Sequence, residues 1–284
     1  MMIVCMDGKF LSGDKACISV FDRGFLYGDG VFETLHAYPG KIFEWGGHWR
    51  RLESSAQFIE LKLGHSSEEI HGWVQKLLQE NDLLKKEAAV RIEVTRGIST
   101  WDYAAEPDHP TWVIFVKPVD RSEIETLQRG VRCGGVEVAW LSPKLSHHKT
   151  INYLPSVMAS RIAKKNGWFE AFFVDEQGYV LEGARSNIFM IEKGVLKTPP
   201  LRGAVLAGIT RQRVIQLARE SKIPAEETMI HRNQLFKADE VFMTSSIVEI
   251  APISRFDDRE IASPLYPITR SLQQAFQKRI KSDT

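Results

Sequence analysis

Two runs with strand-like alternation of apolar residues, 88–97 and 111–117, constrain the fold of this chain most strongly. The runs AAVRIEVTRG and TWVIFVK are rich in β-branched and aromatic residues and are separated by a polar loop that contains proline. We therefore predict that they pair in one sheet, with Val90 and Ile92 on one face and Arg91 on the other. Antiparallel pairing of this kind favours an α+β fold over a doubly wound parallel sheet.

Helical patterns lie on both sides of this strand pair. A helical stretch spans about 44–60, and Ser66 is a good N-cap for a second helix, whose apolar residues follow at steps of three and four. Residues 154–165 are also predicted to be helical, and a further helix begins at about Thr210. Because helices and strand-like runs are mixed along the whole chain, the α+β class is predicted for both of its parts.

A short charged segment after Pro118 is poor in apolar residues, which is typical of a linker between domains. The chain has 284 residues, a length that accommodates two domains. We therefore predict a small N-terminal α+β domain, a linker and a large C-terminal domain, at 1–118, 119–126 and 127–284 respectively.

The balance of charge and the scarcity of cysteine narrow the function. The 37 basic residues are matched by 36 acidic ones, so no excess positive field favours nucleic acid or anionic lipid. No apolar run approaches the roughly 18 residues that span a bilayer, and the first residues lack the pattern of a signal peptide. The three cysteines are widely spaced, which fits neither a disulfide framework nor a metal site. We expect a cytoplasmic protein that acts on small molecules, without a metal.

Four segments carry side chains suited to chemistry. Lys149 lies next to two histidines in SHHKTINYLPSVMA, although a lysine by itself is usually a solvated surface charge. Glu182 ends a strand-like run in GYVLEGARSNIF. Gly208 and Thr210 stand at a predicted helix N-terminus, whose unpaired N–H groups and positive dipole end attract phosphate. A run of three hydroxyl residues closes a further strand at 244–246.

Five motifs occur in an order that resembles the class IV aminotransferases: HxxRL at 48–52, KTxNY at 149–153, EGxxSN at 182–187, LxGITR at 206–211 and FMTSS at 242–246. The segment DRGFLYGDGVFET extends this resemblance to nearly the whole chain. The family includes branched-chain and D-amino-acid aminotransferases, (R)-amine transaminases and aminodeoxychorismate lyases. The resemblance implies fold type IV, with two mixed α/β domains and the active site at their interface, pyridoxal 5'-phosphate as cofactor, and a homodimer.

The resemblance also implies roles for the residues at matching positions. Lys149, in the large C-terminal domain, forms a Schiff base with the cofactor and moves the α-proton of the substrate. Glu182 faces the pyridine nitrogen and keeps it protonated, and Tyr153 hydrogen-bonds the phenolate oxygen of the cofactor. The phosphate is held by a guanidinium group, two backbone N–H groups and two hydroxyl groups, which come from Arg51, Ile209, Thr210 and Ser246.

The substrate's α-carboxylate needs a cationic partner in a site that excludes water. We expect Arg185, three residues after Glu182, to bind it with bidentate geometry, assisted by Arg91. The alternative for Arg91 is a solvent-facing strand position paired with Glu93. Tyr27 lies in the segment that the resemblance assigns to the neighbouring subunit's site, and we expect it to contact the substrate there.

The identity of the substrate stays open at this point. Branched-chain enzymes usually carry a tyrosine two positions before the arginine matched to Arg91, whereas this chain has Ala89. The familiar D-amino-acid enzymes carry an Arg-x-His carboxylate trap in a loop that reads ISTWDYAAEP here. Aminodeoxychorismate lyases share the turn at 27–30. We expect an aminotransferase that acts on α-amino acids and 2-oxo acids, with D-amino acids favoured because the branched-chain signature is incomplete.

A different class of protein is the remaining alternative. A non-catalytic protein of the same fold, which binds pyridoxal phosphate or another metabolite, would be expected to have lost the lysine or the glutamate motif. Both motifs are intact in this chain.

Overall fold

The computed structural model describes residues 2–107, 109–137, 143–202, 204–261 and 265–282. The chain forms two compact units. Unit 1 consists of Met1–Asp120 and His148–Asn152, and unit 2 consists of Arg121–His147 and Tyr153–Thr284.

This division differs from the predicted domains in two respects. A helix, Arg121–Leu127, occupies most of the predicted linker. The segment that contains Lys149 packs with unit 1, although the sequence placed it in the large C-terminal domain. The physical reason is a β-bridge between Thr150 and Val31, which attaches this segment to a strand of unit 1. The domain boundaries themselves stay a prediction.

Unit 1 contains an antiparallel sheet in the order β2-β1-β6-β5-β3-β4. Its strands are β1 Ile3–Met6, β2 Lys9–Ser12, β3 Gly30–Tyr38, β4 Lys41–Ile42, β5 Ala88–Thr95 and β6 Thr111–Pro118. The predicted pairing of the two alternating runs is confirmed, because β5 and β6 pair in register from Ala88↔Pro118 to Thr95↔Thr111. The predicted faces are also confirmed, since Val90 and Ile92 are buried and Arg91 is half-buried.

The helices of unit 1 are α1 Arg23–Tyr27, α2 Trp45–Phe58 and α3 Ser67–Glu80. Ser66 caps α3 as predicted, because its side chain accepts from the N–H of Glu69. The apolar faces of α2 and α3 pack in one core with the sheet, which includes Leu52, Ile70, Leu35 and Val90. This packing fixes the side of α2 that faces β3, and that side carries Arg51, a predicted phosphate ligand, which contacts Glu33 on β3.

Unit 2 contains a mixed sheet in the order β12-β11-β10-β14-β15-β7-β8-β9-β13, with β16 paired to β15. The strands are β7 Val131–Glu137, β8 Glu170–Val174, β9 Tyr179–Gly183, β10 Asn187–Glu192, β11 Val195–Thr198, β12 Ala225–Glu227, β13 Ile230–His231, β14 Glu240–Ser245, β15 Glu249–Phe256 and β16 Arg259–Glu260. Parallel pairs β7·β8, β7·β15 and β11·β12 occur beside antiparallel ones. The predicted α+β class is therefore confirmed.

The helices of unit 2 are α4 Arg121–Leu127, α5 Pro143–Ser146, α6 Leu154–Lys165, α7 Ile209–Glu220, α8 Arg232–Leu235 and α9 Pro267–Ser282. Both α6 and α7 confirm predicted helices, at 154–165 and from about Thr210. In the part of the chain that the structure describes, no helix combines the length and the apolar character needed to cross a membrane.

Candidate active site

Lys149 is held between α2 and β3 by its own backbone. Its N–H donates to Oγ of Ser55 on α2 at 3.1 Å, and its carbonyl accepts from the N–H of Phe32 on β3 at 2.9 Å. The Nζ atom lies 4.4 Å from the centroid of the Phe32 ring, which is buried. Two hydrogen bonds thus fix the backbone of the lysine, while its amine is placed over an aromatic face.

Arg91 contacts the same aromatic ring. Its guanidinium carbon lies 3.3 Å from the centroid of Phe32, a cation–π arrangement. Its Nε pairs with Oε1 of Glu93 at 2.8 Å, as the alternation of β5 suggested, and its Nη1 donates to Oγ1 of Thr34 at 3.2 Å. The structure therefore brings Arg91 and Lys149 together around one ring, which sequence reasoning did not anticipate.

Arg51 is fixed by a buried carboxylate. Its Nε and Nη2 donate to Oε1 and Oε2 of Glu33 at 2.6 and 2.7 Å, and Nδ1 of His48 lies 2.7 Å from the same Oε2. Burial by itself raises the pKa of Glu33, but the neighbouring Arg51 and His48 outweigh it and hold that pKa well below its usual range. Burial also lowers the pKa of His48, against the attraction of Glu33.

Sequence reasoning did not single out Glu33. The signal was present, because Glu33 occupies a core-facing position of β3 between Val31 and Leu35, where an apolar residue is expected. A charged acidic side chain at such a position is stable when a cation pairs with it, and the partly buried Arg51 supplies that cation.

Glu182 is the penultimate residue of β9, and one of its carboxylate oxygens accepts two hydrogen bonds. The N–H of Leu206 donates to Oε2 at 2.8 Å, and Nδ2 of Asn187 donates to the same atom at 3.3 Å. Asn187 also donates to the carbonyl of Leu206 at 3.0 Å. The EGxxSN and LxGITR motifs are therefore interlocked in unit 2 by their own side chains and backbone.

The N-terminus of α7 is suited to an anion. Its N-cap, Gly208, provides no side-chain hydrogen bond to the helix. The N–H groups of Ile209 and Thr210 lie in the first turn, where no intrahelical acceptor exists. Thr210 is buried, and its hydroxyl belongs to the same first turn as these N–H groups. The positive end of a helix that spans 12 residues adds to their attraction for phosphate.

The remaining predicted cofactor ligands lie at the end of a strand and at the start of a helix. Ser246 is half-buried in the turn between β14 and β15. Two residues earlier, the buried Oγ1 of Thr244 has no hydrogen-bond partner within the described residues. Tyr153 directly precedes α6, and its hydroxyl donates to the carbonyl of Ala184 at 3.0 Å.

Arg185 contacts a different part of unit 2 from Glu182. Its Nε lies 3.7 Å from Oε2 of Glu170, and its Nη2 donates to the carbonyl of Phe169 at 3.3 Å. Glu170 is buried, and burial raises its pKa, although the charge of Arg185 opposes this effect. The side chain of Arg185 is 54% exposed, which leaves it accessible to solutes.

Tyr27, the last residue of α1, packs against aromatic and cationic neighbours. Its ring centroid lies 5.1 Å from that of Tyr103 and 5.3 Å from the guanidinium carbon of Arg23. The predicted site residues thus fall into two groups. Unit 1 holds Tyr27, Arg51, Arg91 and Lys149, and unit 2 holds Tyr153, Glu182, Arg185, Ile209, Thr210 and Ser246.

The antiparallel sheet of unit 1 and the mixed sheet of unit 2, with the helices between their strands, have the topology of fold-type IV enzymes. The sequence model described as "Amino-transferase class IV" matches residues 30–256, and the chain belongs to this family. It is therefore an aminotransferase, which moves an amino group between an α-amino acid and a 2-oxo acid. Enzymes of this family depend on pyridoxal phosphate.

The proteins similar to this chain are named after two different kinds of substrate, branched-chain amino acids and D-alanine. A putative branched-chain-amino-acid aminotransferase of Methanocaldococcus jannaschii is 38% identical, with 97% of this chain and 95% of that protein covered. A D-alanine aminotransferase of Staphylococcus epidermidis is 34% identical, with 99% of each covered. The crystal structure of a branched-chain aminotransferase from Thermoproteus uzoniensis with norvaline superposes with a TM-score of 0.89 at 30% identity, covering 99% of this chain and 96% of that one.

Proposed function

We propose that this aminotransferase binds pyridoxal 5'-phosphate through Lys149 and transfers amino groups between D-α-amino acids and 2-oxo acids. The observation that carries this proposal is the position of Lys149, whose backbone is fixed by Ser55 and Phe32 while its amine lies over the Phe32 ring. When bound, the cofactor supplies a reactive carbonyl carbon and a ring that accepts electrons from the substrate. The chain supplies binding, orientation and proton transfer.

The functional groups of the predicted site residues fit the chemistry of that cofactor. A lysine amine suits its aldehyde, the Glu182 carboxylate suits a protonated pyridine nitrogen, and the uncapped start of α7 suits a phosphate dianion. The buried Thr244 hydroxyl, without a partner in the described part of the chain, is a polar group that a bound ligand would satisfy. The phosphate ligands in this proposal are Arg51, Ile209, Thr210 and Ser246.

Each residue has a defined task. The Nζ atom of Lys149 would take the proton from the substrate's Cα and deliver it to the carbonyl carbon of the bound cofactor. Glu182 holds the proton at the pyridine nitrogen, with its carboxylate oriented by the N–H of Leu206. When the cofactor is bound, the Tyr153 hydroxyl would turn its proton from the carbonyl of Ala184 to the phenolate oxygen.

Arg91 and Arg185 are the proposed partners of the substrate carboxylate. Arg91 and Lys149 both contact the Phe32 ring, and this supports a position for the substrate carboxylate beside the lysine amine. Arg185 supports the role through its exposure, since its contacts with Glu170 and Phe169 leave more than half of its side chain accessible. Tyr27 is the proposed contact at the neighbouring subunit's site.

A screen of amino donors tests the substrate. D-alanine, D-glutamate, L-leucine, L-valine and aminodeoxychorismate are each incubated with common 2-oxo acids, and product is measured by chiral chromatography. D-amino acids are expected to give the fastest transfer, in line with the similarity to D-alanine aminotransferases. Faster transfer from L-leucine would favour the second candidate, which the similarity to branched-chain enzymes supports. Release of pyruvate from aminodeoxychorismate would indicate a lyase.

A homodimer is also proposed. Two segments of unit 1, around Phe21 and around Ser99, are joined by a hydrogen bond from the N–H of Ser99 to the carbonyl of Phe21. Exposed apolar side chains lie on both segments. They include Val20, Phe21, Phe25, Ile98 and Trp101, of which Trp101 is 77% exposed. An apolar surface of this kind favours association. Light scattering at assay concentration is expected to give twice the mass of the chain, and a fully active monomer would reject the dimer.

A further inference from the structure

Asn187 connects two motifs that lie on separate elements of unit 2. Its Nδ2 donates to the carbonyl of Leu206 and to Oε2 of Glu182, at 3.0 and 3.3 Å. Oε2 of Glu182 accepts in turn from the N–H of Leu206. The carbonyl of Leu206 also accepts from the N–H of Gly208, the N-cap of α7, at 2.9 Å. A closed set of hydrogen bonds therefore joins the Glu182 carboxylate to the residue that begins α7.

The space around this asparagine is tightly defined. Asn187 is 6% exposed, and its backbone lies in register with Thr244 of the neighbouring strand β14. A Cβ atom at position 208 would lie 2.0 Å from Oδ1 of Asn187, so this side chain fills the space that any residue other than glycine would need there. The asparagine and the glycine are thus matched to each other in shape.

We propose that Asn187 is a positioning residue, which fixes the Glu182 carboxylate relative to the first turn of α7. This inference rests on the proposed function, in which these two features bind the pyridine nitrogen and the phosphate of one cofactor. The cofactor's ring is rigid, so both ends are bound together only when their protein partners are correctly spaced. Asn187 sets that spacing through Glu182 and Leu206.

The test compares two ligands that differ only in the phosphate. Apoprotein with Asn187→Ala is titrated with pyridoxal phosphate and with pyridoxal, and dissociation constants are measured by protein fluorescence. Affinity for pyridoxal phosphate is expected to fall about tenfold, the effect of one or two lost hydrogen bonds. Affinity for pyridoxal should fall less, because only the ligand held at both ends depends on the spacing. The pH midpoint of the bound cofactor's absorption change should also shift, since Glu182 loses its orientation.

Asn81→Ala is the matched control. The Nδ2 of Asn81 also donates two hydrogen bonds, but to the backbone carbonyls of Ile3 and Leu77 in unit 1. Its replacement removes a similar set of hydrogen bonds and should leave the ratio of the two affinities and the pH midpoint unchanged. If Asn187→Ala weakened cofactor binding only by lowering the stability of the protein, both variants would lose affinity equally, and this result would overturn the inference.

Gly208→Ala provides a second variant, which retains Asn187 but displaces its side chain. It should weaken binding of pyridoxal phosphate in the same way, and adding Asn187→Ala should relieve the crowding so that the double variant binds no worse than Asn187→Ala alone. The inference would be overturned if Asn187→Ala or Gly208→Ala folded normally and left two quantities unchanged. These are the ratio of the affinities for pyridoxal phosphate and pyridoxal, and the pH midpoint. A parent protein that gives no absorption band with pyridoxal phosphate would overturn the proposed function, and this inference with it.

Discussion

Glu33 and Arg51 form a bidentate ion pair inside unit 1, with Nε–Oε1 and Nη2–Oε2 distances of 2.6 and 2.7 Å. Glu33 is 1% exposed, and the pair joins β3 to α2. Arg51 thereby has a single defined orientation, which a phosphate ligand requires. The same α2 also carries Ser55, which holds the backbone of Lys149. One face of one helix thus orients both the proposed phosphate ligand and the lysine.

Glu33→Gln is expected to lower the free energy of unfolding by about 3 kcal/mol at neutral pH, because it leaves the Arg51 charge without its buried partner. The pKa of Glu33 in the folded protein lies below its unfolded value of about 4.3, so the stabilisation is complete above that value. It is lost as the pH falls from about 4 toward the folded-state pKa. Urea denaturation of parent and variant should therefore show a difference that narrows at acidic pH, and a difference independent of pH would contradict this account.

Lys149→Ala is expected to abolish transamination, because the covalent attachment and the proton-transfer base are lost together. Borohydride reduction followed by mass spectrometry should show a cofactor adduct in the parent and none in the variant. Lys165→Ala is the control, since Lys165 is exposed at the end of α6 and should retain both activity and adduct. Normal turnover of Lys149→Ala without an added amine would reject the central role of this lysine.

Glu182→Gln is expected to slow the amino-acid half-reaction by about 10²-fold while changing cofactor affinity little. The amide keeps a similar shape but loses the negative charge that holds the proton on the pyridine nitrogen. Stopped-flow absorbance with a saturating amino donor measures this step directly. Glu176→Gln, an exposed carboxylate in the turn before β9, is the control. Equal rates in Glu182→Gln and the parent would assign the pyridine nitrogen to another residue.

Arg185→Ala is expected to raise KM for amino and 2-oxo acids about tenfold, because a charged hydrogen-bond donor to the carboxylate is removed. Reaction with 1-phenylethylamine, which has no carboxylate, should be largely spared. Steady-state kinetics with both donor types measure the difference. Equal losses for both donors would show that Arg185 supports the fold through Glu170, and an unchanged KM for acids would exclude it from substrate binding.

Arg91→Ala separates the two arginines. The same acid-selective rise in KM is expected, and its size relative to Arg185→Ala ranks the two contributions. Because Arg91 also contacts the Phe32 ring beside Lys149, its loss is expected to lower kcat as well. A fall in kcat of equal size for acids and for 1-phenylethylamine, with no change in KM, would limit Arg91 to positioning the ring.

The sequence by itself determined the local elements and the identity of the chemical groups. Alternation in 88–97 and 111–117 predicted the paired strands β5 and β6, and Ser66 predicted the start of α3, because both signals depend on neighbours within a few residues. The five motifs, in their order along the chain, likewise carried the resemblance to the family that the match over 30–256 shows. These features need no knowledge of which distant segments meet.

The tertiary structure alone decided which side chains meet. The 94-residue separation of Ser55 and Lys149 and the 18-residue separation of Glu33 and Arg51 leave no periodic pattern in the sequence. Proximity in sequence was also a poor guide, because Glu182 binds Leu206 whereas Arg185, only three residues further along, binds Glu170 and Phe169. Packing of strands and helices selects these partners, since a buried charge or amide is stable only where the fold places its counterpart.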